Sequence, residues 1–348
     1  MARDLVVITG ATGYVGFNCL RHALLQGYRA RIVVRSQTKA DQLAANPTLQ
    51  GIKSADYTFF VVPDFAVPDA FDEAVQDARY VIHCAAPVPI GGSNSEDLEK
   101  TFFEPSTTAI TNLLTSCKKS GTVKRIAYTS SAIALVPFPI ALGMEPAPAD
   151  LIITGSERLP DVPTPLPNAF VAYAASKIAG VNTIERWMAQ EKPNFDVQKL
   201  FPTYVIGRDY LATQSADLFK TSNSAVLRFL AGEKNEDKDT PEAAGCAHAD
   251  DVGLAHVKVL DPGVPDNESF VFSTAVLWND FPKVTAERFP EAVRKGLFPN
   301  TGTLKSFVLP VDNSKIERLL GIKLKGAEEM VDSLVGQYIE FLEKEQKA

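Results

Sequence analysis

The first two hundred residues alternate short apolar runs with stretches of helical periodicity. Leu5–Thr9 (LVVIT) reads as a strand, as do Arg31–Val34, Tyr57–Val62, Tyr80–Cys84, Arg125–Thr129 and Val197–Phe201. Between them, Tyr14–Gln26 places Val15, Cys19 and Ala23 four apart, which predicts a helix with one apolar face. Pro68–Ala78 predicts another, with proline in its first turn and Asp69, Asp72 and Glu73 near its N-terminus. Further helices are expected near 95–119 and 171–191. Strands that are almost continuously apolar are buried on both faces. Their alternation with helices therefore indicates an α/β fold: a Rossmann-type doubly wound parallel sheet covered by helices. The tail from Ala327 carries Val331, Leu334, Val335, Tyr338 and Leu342 at helical spacing, suited to packing a smaller C-terminal α/β lobe.

Two stretches break the pattern. Eight prolines fall between Pro137 and Pro167, a density that forbids a long helix or a central strand. This segment is expected to be a long ordered loop or flap. From Gly232 to Glu242, seven of eleven residues are charged, which reads as a solvated loop. Residues 1–205 are expected to form the dinucleotide-binding domain, and 206–348 mainly the substrate-binding lobe.

Composition narrows the class. The chain has 348 residues and ordinary globular usage, 45% hydrophobic and 22% charged. Its charge sum is 35 − 42 = −7, which argues against duplex nucleic acid or anionic membrane as main partners. No apolar run approaches the ~20 residues of a membrane span. The N-terminal apolar stretch is short and ends in a glycine turn, so it reads as a strand rather than an export signal. Cys19, Cys84, Cys117 and Cys246 form no CxxC pair, and the four histidines show no zinc-ligand spacing. Four buried free thiols in a reducing, cytoplasmic compartment are expected, with no metal.

Chemistry enters at Gly10-Ala11-Thr12-Gly13-Tyr14-Val15-Gly16. This glycine turn follows a strand and opens a helix, the context a dinucleotide pyrophosphate requires. The second strand ends in Arg35, with Lys39 four residues on, where NAD-specific enzymes usually place an acid. A guanidinium there suits the 2′-phosphate of NADP. Asp64 follows the third strand, in position to accept from the adenine amino group. Tyr173-Ala174-Ala175-Ser176-Lys177 puts a phenol and an ammonium on one helical face. The ammonium is expected to lower the phenol's pKa and ease proton transfer. Thr129-Ser130-Ser131 closes another strand and can bring a hydroxyl beside the tyrosine.

Taken together, GATGYVG, Arg35, Asp64-Phe65, VIHCAAPV, TSSA, YAASK, KLFPTYVIG and HADDVGLAH resemble an extended short-chain dehydrogenase/reductase. Within that superfamily the chain is most similar to the dihydroflavonol-reductase-like carbonyl reductases, which include NADPH-dependent aldehyde and ketone reductases. The resemblance implies Tyr173 as general acid, Lys177 as its partner and ribose ligand, and Ser131 as a hydrogen-bond donor to the substrate oxygen. It implies that Ala85, Ala86 and Pro87 line the cofactor groove and that Pro202 to Val205 pass the nicotinamide carboxamide. His248 fits a structural position. Two departures stand out. Ser106 falls where many relatives carry the asparagine of a proton relay, and the interval from Ser131 to Tyr173 is longer than usual.

The function expected is NADPH-dependent reduction of a bulky, largely apolar ketone or aldehyde, with Val88, Phe138 and Tyr204 in the substrate pocket. The cofactor is NADP(H), and the protein is expected to be a monomer or homodimer. A sugar-nucleotide epimerase or dehydratase is the first competitor, but such enzymes usually have an acid where this chain has Arg35. A non-catalytic dinucleotide sensor is the second, but such sensors commonly lack the tyrosine kept here.

Overall fold

The computed structural model describes residues 3–52, 56–88, 97–233 and 241–347. The charged stretch 234–240 lies outside them. Seven strands form one parallel sheet: β1 (Leu5–Thr9), β2 (Arg29–Val34), β3 (Tyr57–Val61), β4 (Tyr80–His83), β5 (Arg125–Thr129), β6 (Asp196–Pro202) and β7 (Ser269–Phe272). Their spatial order is β3-β2-β1-β4-β5-β6-β7. The chain winds outward from β1 in one direction, then returns and winds the other way from β4. The crevice beside the β1 and β4 ends is therefore a topological switch point, where open α/β sheets bind ligands.

Both faces of the sheet are covered. Val6 and Ile8 of β1 face a core shared with α1 (Tyr14–Leu25) and α4 (Ala249–Lys258). Leu5 and Val7 face the opposite core, under α2 (Glu104–Ser120) and α3 (Ala169–Glu191). At about 25 cal/mol per Å² of apolar surface removed from water, these two layers supply the main drive for folding. A third core, around Trp278, Phe281, Phe229, Leu334 and Val335, belongs to the C-terminal lobe and is closed by α5 (Ala327–Glu345).

Two sequence expectations need revision. Pro68–Ala78 is a succession of turns, not a helix. Phe71, Ala74, Val75 and Ala78 are buried at helical spacing, but Asp69 and Asp77 adopt φ of 60°, which interrupts the ladder at both ends. The boundary at 205/206 does not divide the chain cleanly, because α4 and β7 return to the main sheet after the lobe has begun. The proline-rich segment is an ordered strap, in keeping with the long ordered loop expected. Ile153 exchanges backbone hydrogen bonds with Pro310 and Asp312, while Arg158 and Asp161 pair with Glu185 and Arg186 of α3.

Arg125 fixes the far side of the sheet. It is buried and uses all five of its N–H groups. Nε donates to Asp196 at 2.8 Å, Nη1 to the carbonyls of Val259 and Asp261, and Nη2 to Val264 and Asp266. One side chain thus ties β5 to β6 and to the loop that feeds β7. Arg125→Met should destabilise the fold by about 3–5 kcal/mol, because Asp196 and three carbonyls lose their partner. Urea unfolding of the two proteins measures this, and a loss below about 1 kcal/mol would show that the hub is dispensable.

Candidate active site

The glycine turn sets the floor of the site. Gly10 has φ of 78°, and a Cβ there would lie 2.6 Å from the Ala85 nitrogen; a Cβ on Gly16 would lie 2.2 Å from the Gly10 carbonyl oxygen. Strand end, turn and helix start therefore pack backbone against backbone, and no other residue fits either position. The opening of α1 presents free N–H groups in a cradle without side chains, which fits a pyrophosphate.

A cleft of about 1590 Å³ runs from this turn across the carboxyl ends of the strands. Gly10, Thr12, Gly13, Tyr14, Val15, Gly16, Arg35, Asp64, Phe65, Ala85, Ala86, Pro87, Val88, Ser131, Tyr173, Lys177, Pro202, Tyr204 and Val205 all line it. Arg35 is exposed at one end and pairs with no other described residue, so its guanidinium is open to an anion. Asp64 caps its own turn by accepting from the Ala66 N–H at 2.8 Å, and Phe65 packs on Phe71 with ring centroids 4.9 Å apart. The Tyr14 phenol is buried and donates to the Gly207 carbonyl at 2.9 Å, so it ties the turn to the lobe.

Two expected residues stand elsewhere. Lys39 donates to Gln42 at 3.1 Å and does not line the cleft, because the helix Gln37–Ala44 carries it outward. Phe138 packs against the buried layer that holds Val136 and Ile140. Ala141 and Leu142, farther along the strap, reach the cleft in its place.

Ser131, Tyr173 and Lys177 meet at the centre. Asn168 caps α3 by accepting from the Val171 N–H, and the helix then presents Tyr173 and Lys177 on one face. The Ser131 side chain stands close enough to the Tyr173 phenol to act on its ionisation. Ser130 is turned away and donates to the Lys177 carbonyl at 3.5 Å. Lys177 Nζ lies 5.7 Å from the centroid of the Tyr173 ring and donates to the Thr129 carbonyl at 3.4 Å. Burial pushes Lys177 down to about 8. The expected lowering of the phenol is not found: burial raises the Tyr173 pKa, and the neighbouring Ser131 side chain offsets this only in part. Desolvation is the dominant effect, and the ammonium, 5.7 Å from the ring centroid, does not offset it.

Sequence reading missed several lining residues. Ile153 of the strap, Phe170 before the catalytic pair, and Leu309 and Val311 of the lobe add apolar wall. Only the fold brings them together, since they come from remote segments. Tyr204 is 42% exposed and stands edge-on to Trp278 at 4.9 Å. Val88, Leu142, Phe170 and Tyr204 are among the few large apolar side chains left exposed, and all four line this cleft. His248 is structural, as expected: Nδ1 accepts from the Asp250 N–H and Nε2 meets the Ser333 hydroxyl at 3.0 Å. No metal-ligand set is legible in the spacing, yet Cys19, Cys84 and His256 bring their ligand atoms within 4.8 Å of one another. No helix among the described residues is long and apolar enough to cross a membrane.

The NAD dependent epimerase/dehydratase family matches residues 6–270. A ketoreductase of Cercospora nicotianae, CTB6, is 37% identical over 99% of this chain and 98% of its own. An Alternaria alternata protein, NAD-dependent epimerase/dehydratase ALT6, is 32% identical over 95% of this chain and 96% of its own. Among solved structures, yeast methylglyoxal/isovaleraldehyde reductase Gre2, complexed with NADPH, superposes with a TM-score of 0.79 at 24% identity, covering 97% of this chain and 98% of that one. The chain belongs to the NAD-dependent epimerase/dehydratase family, within the extended short-chain dehydrogenases/reductases.

Proposed function

We propose that this protein is an NADPH-dependent carbonyl reductase acting on a bulky, largely apolar ketone or aldehyde. The observation that carries the reading is the apolar wall gathered around one phenol. Val88, Leu142, Phe170 and Tyr204 are exposed and line the same cleft as Tyr173 and Ser131. Pockets of apolar wall with a few convergent polar groups suit small hydrophobic molecules. The ketoreductase name of a 37% identical relative points the same way. NADPH, when bound, supplies the hydride.

The residues present fit that cofactor: a side-chain-free cradle at Gly10 to Gly16 for the pyrophosphate, and the open guanidinium of Arg35 for the 2′-phosphate. Lys177 holds the nicotinamide ribose. The substrate oxygen sits against Ser131 and Tyr173. Ser131 donates a hydrogen bond that stabilises charge developing on that oxygen. Tyr173 gives it the phenol proton. A phenol held neutral by burial is the correct protonation state for an acid in the reductive direction. The substrate is a small molecule, and no membrane or nucleic acid takes part. The compartment we assign is reducing and cytoplasmic, which suits four free thiols.

Tyr173→Phe removes only the hydroxyl. It should bind NADPH normally and lose about 10²–10⁴ in turnover, the scale of general acid catalysis. Ser131→Ala should lose less. Steady-state kinetics on an aryl ketone checks both, and near-normal turnover by the phenylalanine variant would sink the mechanism. Arg35→Ala should weaken NADPH binding by about 10–100-fold, the loss of charged hydrogen bonds worth ~1.5–3 kcal/mol, and leave NADH almost unchanged. Equal losses for the two cofactors would remove Arg35 from the phosphate site. For pH, the sign follows from Lys177, whose cation is present below about 8 and lost above it. The reductive rate should therefore fall as pH rises through that value. A rate that climbs steadily from neutral pH to pH above Lys177's value would contradict the assignment.

A further inference from the structure

One pair of groups in the cleft floor has no part in carbonyl reduction. Cys84 follows β4 directly, is half-buried and lines the cleft. Cys19, on the buried face of α1, places its sulfur 3.7 Å from that of Cys84. A disulfide needs about 2.05 Å, so the sulfurs must close by less than 2 Å, within reach of side-chain rotation and small backbone shifts. Cys117 and Cys246 are buried, and neither has a sulfur partner among the described residues.

The surroundings of Cys84 favour its thiolate. The Cys19 thiol hydrogen-bonds to its sulfur and the Lys177 ammonium acts on it; together they hold its pKa below the ordinary thiol value, against burial. The Thr129 hydroxyl touches that sulfur at 3.1 Å, but its one proton is committed to His256. Cys19 has no such help, and burial raises its pKa. The two sulfurs thus differ in role: a half-buried nucleophile on a cleft-lining residue and a buried neighbour able to resolve it. His256 could complete a metal site with them. However, its Nδ1 meets the Val252 carbonyl at 2.7 Å and its Nε2 is occupied by the Thr129 hydroxyl at 2.7 Å, which leaves the two sulfurs to react with each other.

We propose that Cys84 and Cys19 form a peroxide-reactive thiol pair whose disulfide weakens dinucleotide binding. The Cys84 thiolate attacks one oxygen of a hydroperoxide. The O–O bond breaks, Cys84 becomes a sulfenic acid, and the other oxygen leaves as water or alcohol after taking a proton. Cys19 sulfur then attacks Cys84 sulfur and displaces the hydroxyl, which leaves with the Cys19 proton as a second water. Two thiols are oxidised by two electrons, and the peroxide is reduced by two. The link would tie α1 to the backbone just before Ala85. That backbone already touches Gly10 with no room for a Cβ, so movement there deforms the dinucleotide turn. Linkage is reciprocal: if the disulfide weakens cofactor binding, bound cofactor must oppose the disulfide by the same factor.

The test uses the full chain, wild type beside Cys19→Ala and Cys84→Ala. Each protein is exposed to hydrogen peroxide with and without saturating NADP⁺, alkylated, and examined by intact mass and peptide mapping. NADPH affinity is then read from nicotinamide fluorescence. Oxidised wild type should lose two hydrogens, yield a linked peptide containing Cys19 and Cys84, and bind NADPH more weakly by about 5–150-fold, the usual span of coupling between two sites. Dithiothreitol should reverse both changes, and NADP⁺ should slow the linkage. Cys19→Ala should instead trap a sulfenic acid on Cys84, captured by dimedone. Wild type that alkylates at both cysteines after peroxide, or that links them with unchanged NADPH affinity, would overturn the proposal. So would one equivalent of zinc held by these thiols in the purified protein. Neither readout uses carbonyl turnover. Failure here leaves the reductase reading standing, whereas a reduced protein that binds no NADPH would sink that reading by itself.

Discussion

The structure hangs on one steric constraint, the contact of bare backbone between the glycine turn and the neighbouring strand end. Gly10 touches the chain at Cys84 and Ala85, and Gly16 sits on the Gly10 carbonyl, each where a methyl group would collide. That contact sets how close α1 comes to β4. It therefore sets the depth of the crevice where the sheet order reverses. It also brings the free N–H groups of the helix start to the cleft that Arg35 enters from one side and Tyr173 from the other. A looser contact would separate the anion cradle from the proton donor.

The catalytic groups depend on a second, softer arrangement. Ser131 follows β5, while Tyr173 and Lys177 ride on α3, so their geometry is inherited from the packing of that helix over the sheet. The strap between them is pinned to α3 by ion pairs and to the C-terminal lobe by backbone hydrogen bonds. Gly143, with φ of 68°, lets it run so close to Pro241 that a Cβ would lie 2.1 Å from that carbonyl oxygen. Exposed ion pairs contribute little each, but hydrogen bonds and the burial of Ile153 hold the strap as a wall of the cleft.

How much of this the sequence discloses depends on how local each signal is. The strands of the sheet up to β6, the glycine turn and the Tyr173–Lys177 pair are written in neighbouring residues, and their positions agree with the fold. The helix expected at Pro68–Ala78 fails because aspartates in left-handed conformations override good apolar spacing. Phe138 is next to the cleft in sequence but not in space, since its short helix turns it into the core. Leu309, Val311 and the sulfur pair are invisible to pattern reading, because they come together only through long-range folding. The raised Tyr173 pKa was illegible for a related reason: burial is a property of the whole fold, and it exceeds the pairwise effect read from YxxxK.

The central claim is that this cleft moves a hydride to a hydrophobic carbonyl and a proton from Tyr173 to its oxygen. The most direct measurement follows the hydride itself. NADPH carrying deuterium at its transferable position is incubated with the enzyme and an aryl ketone, and the products are weighed by mass spectrometry. The account requires one deuterium on the carbinol carbon for each NADP⁺ formed. Deuterium retained on the cofactor while hydrophobic carbonyls go unreduced and a UDP-hexose is inverted would contradict it.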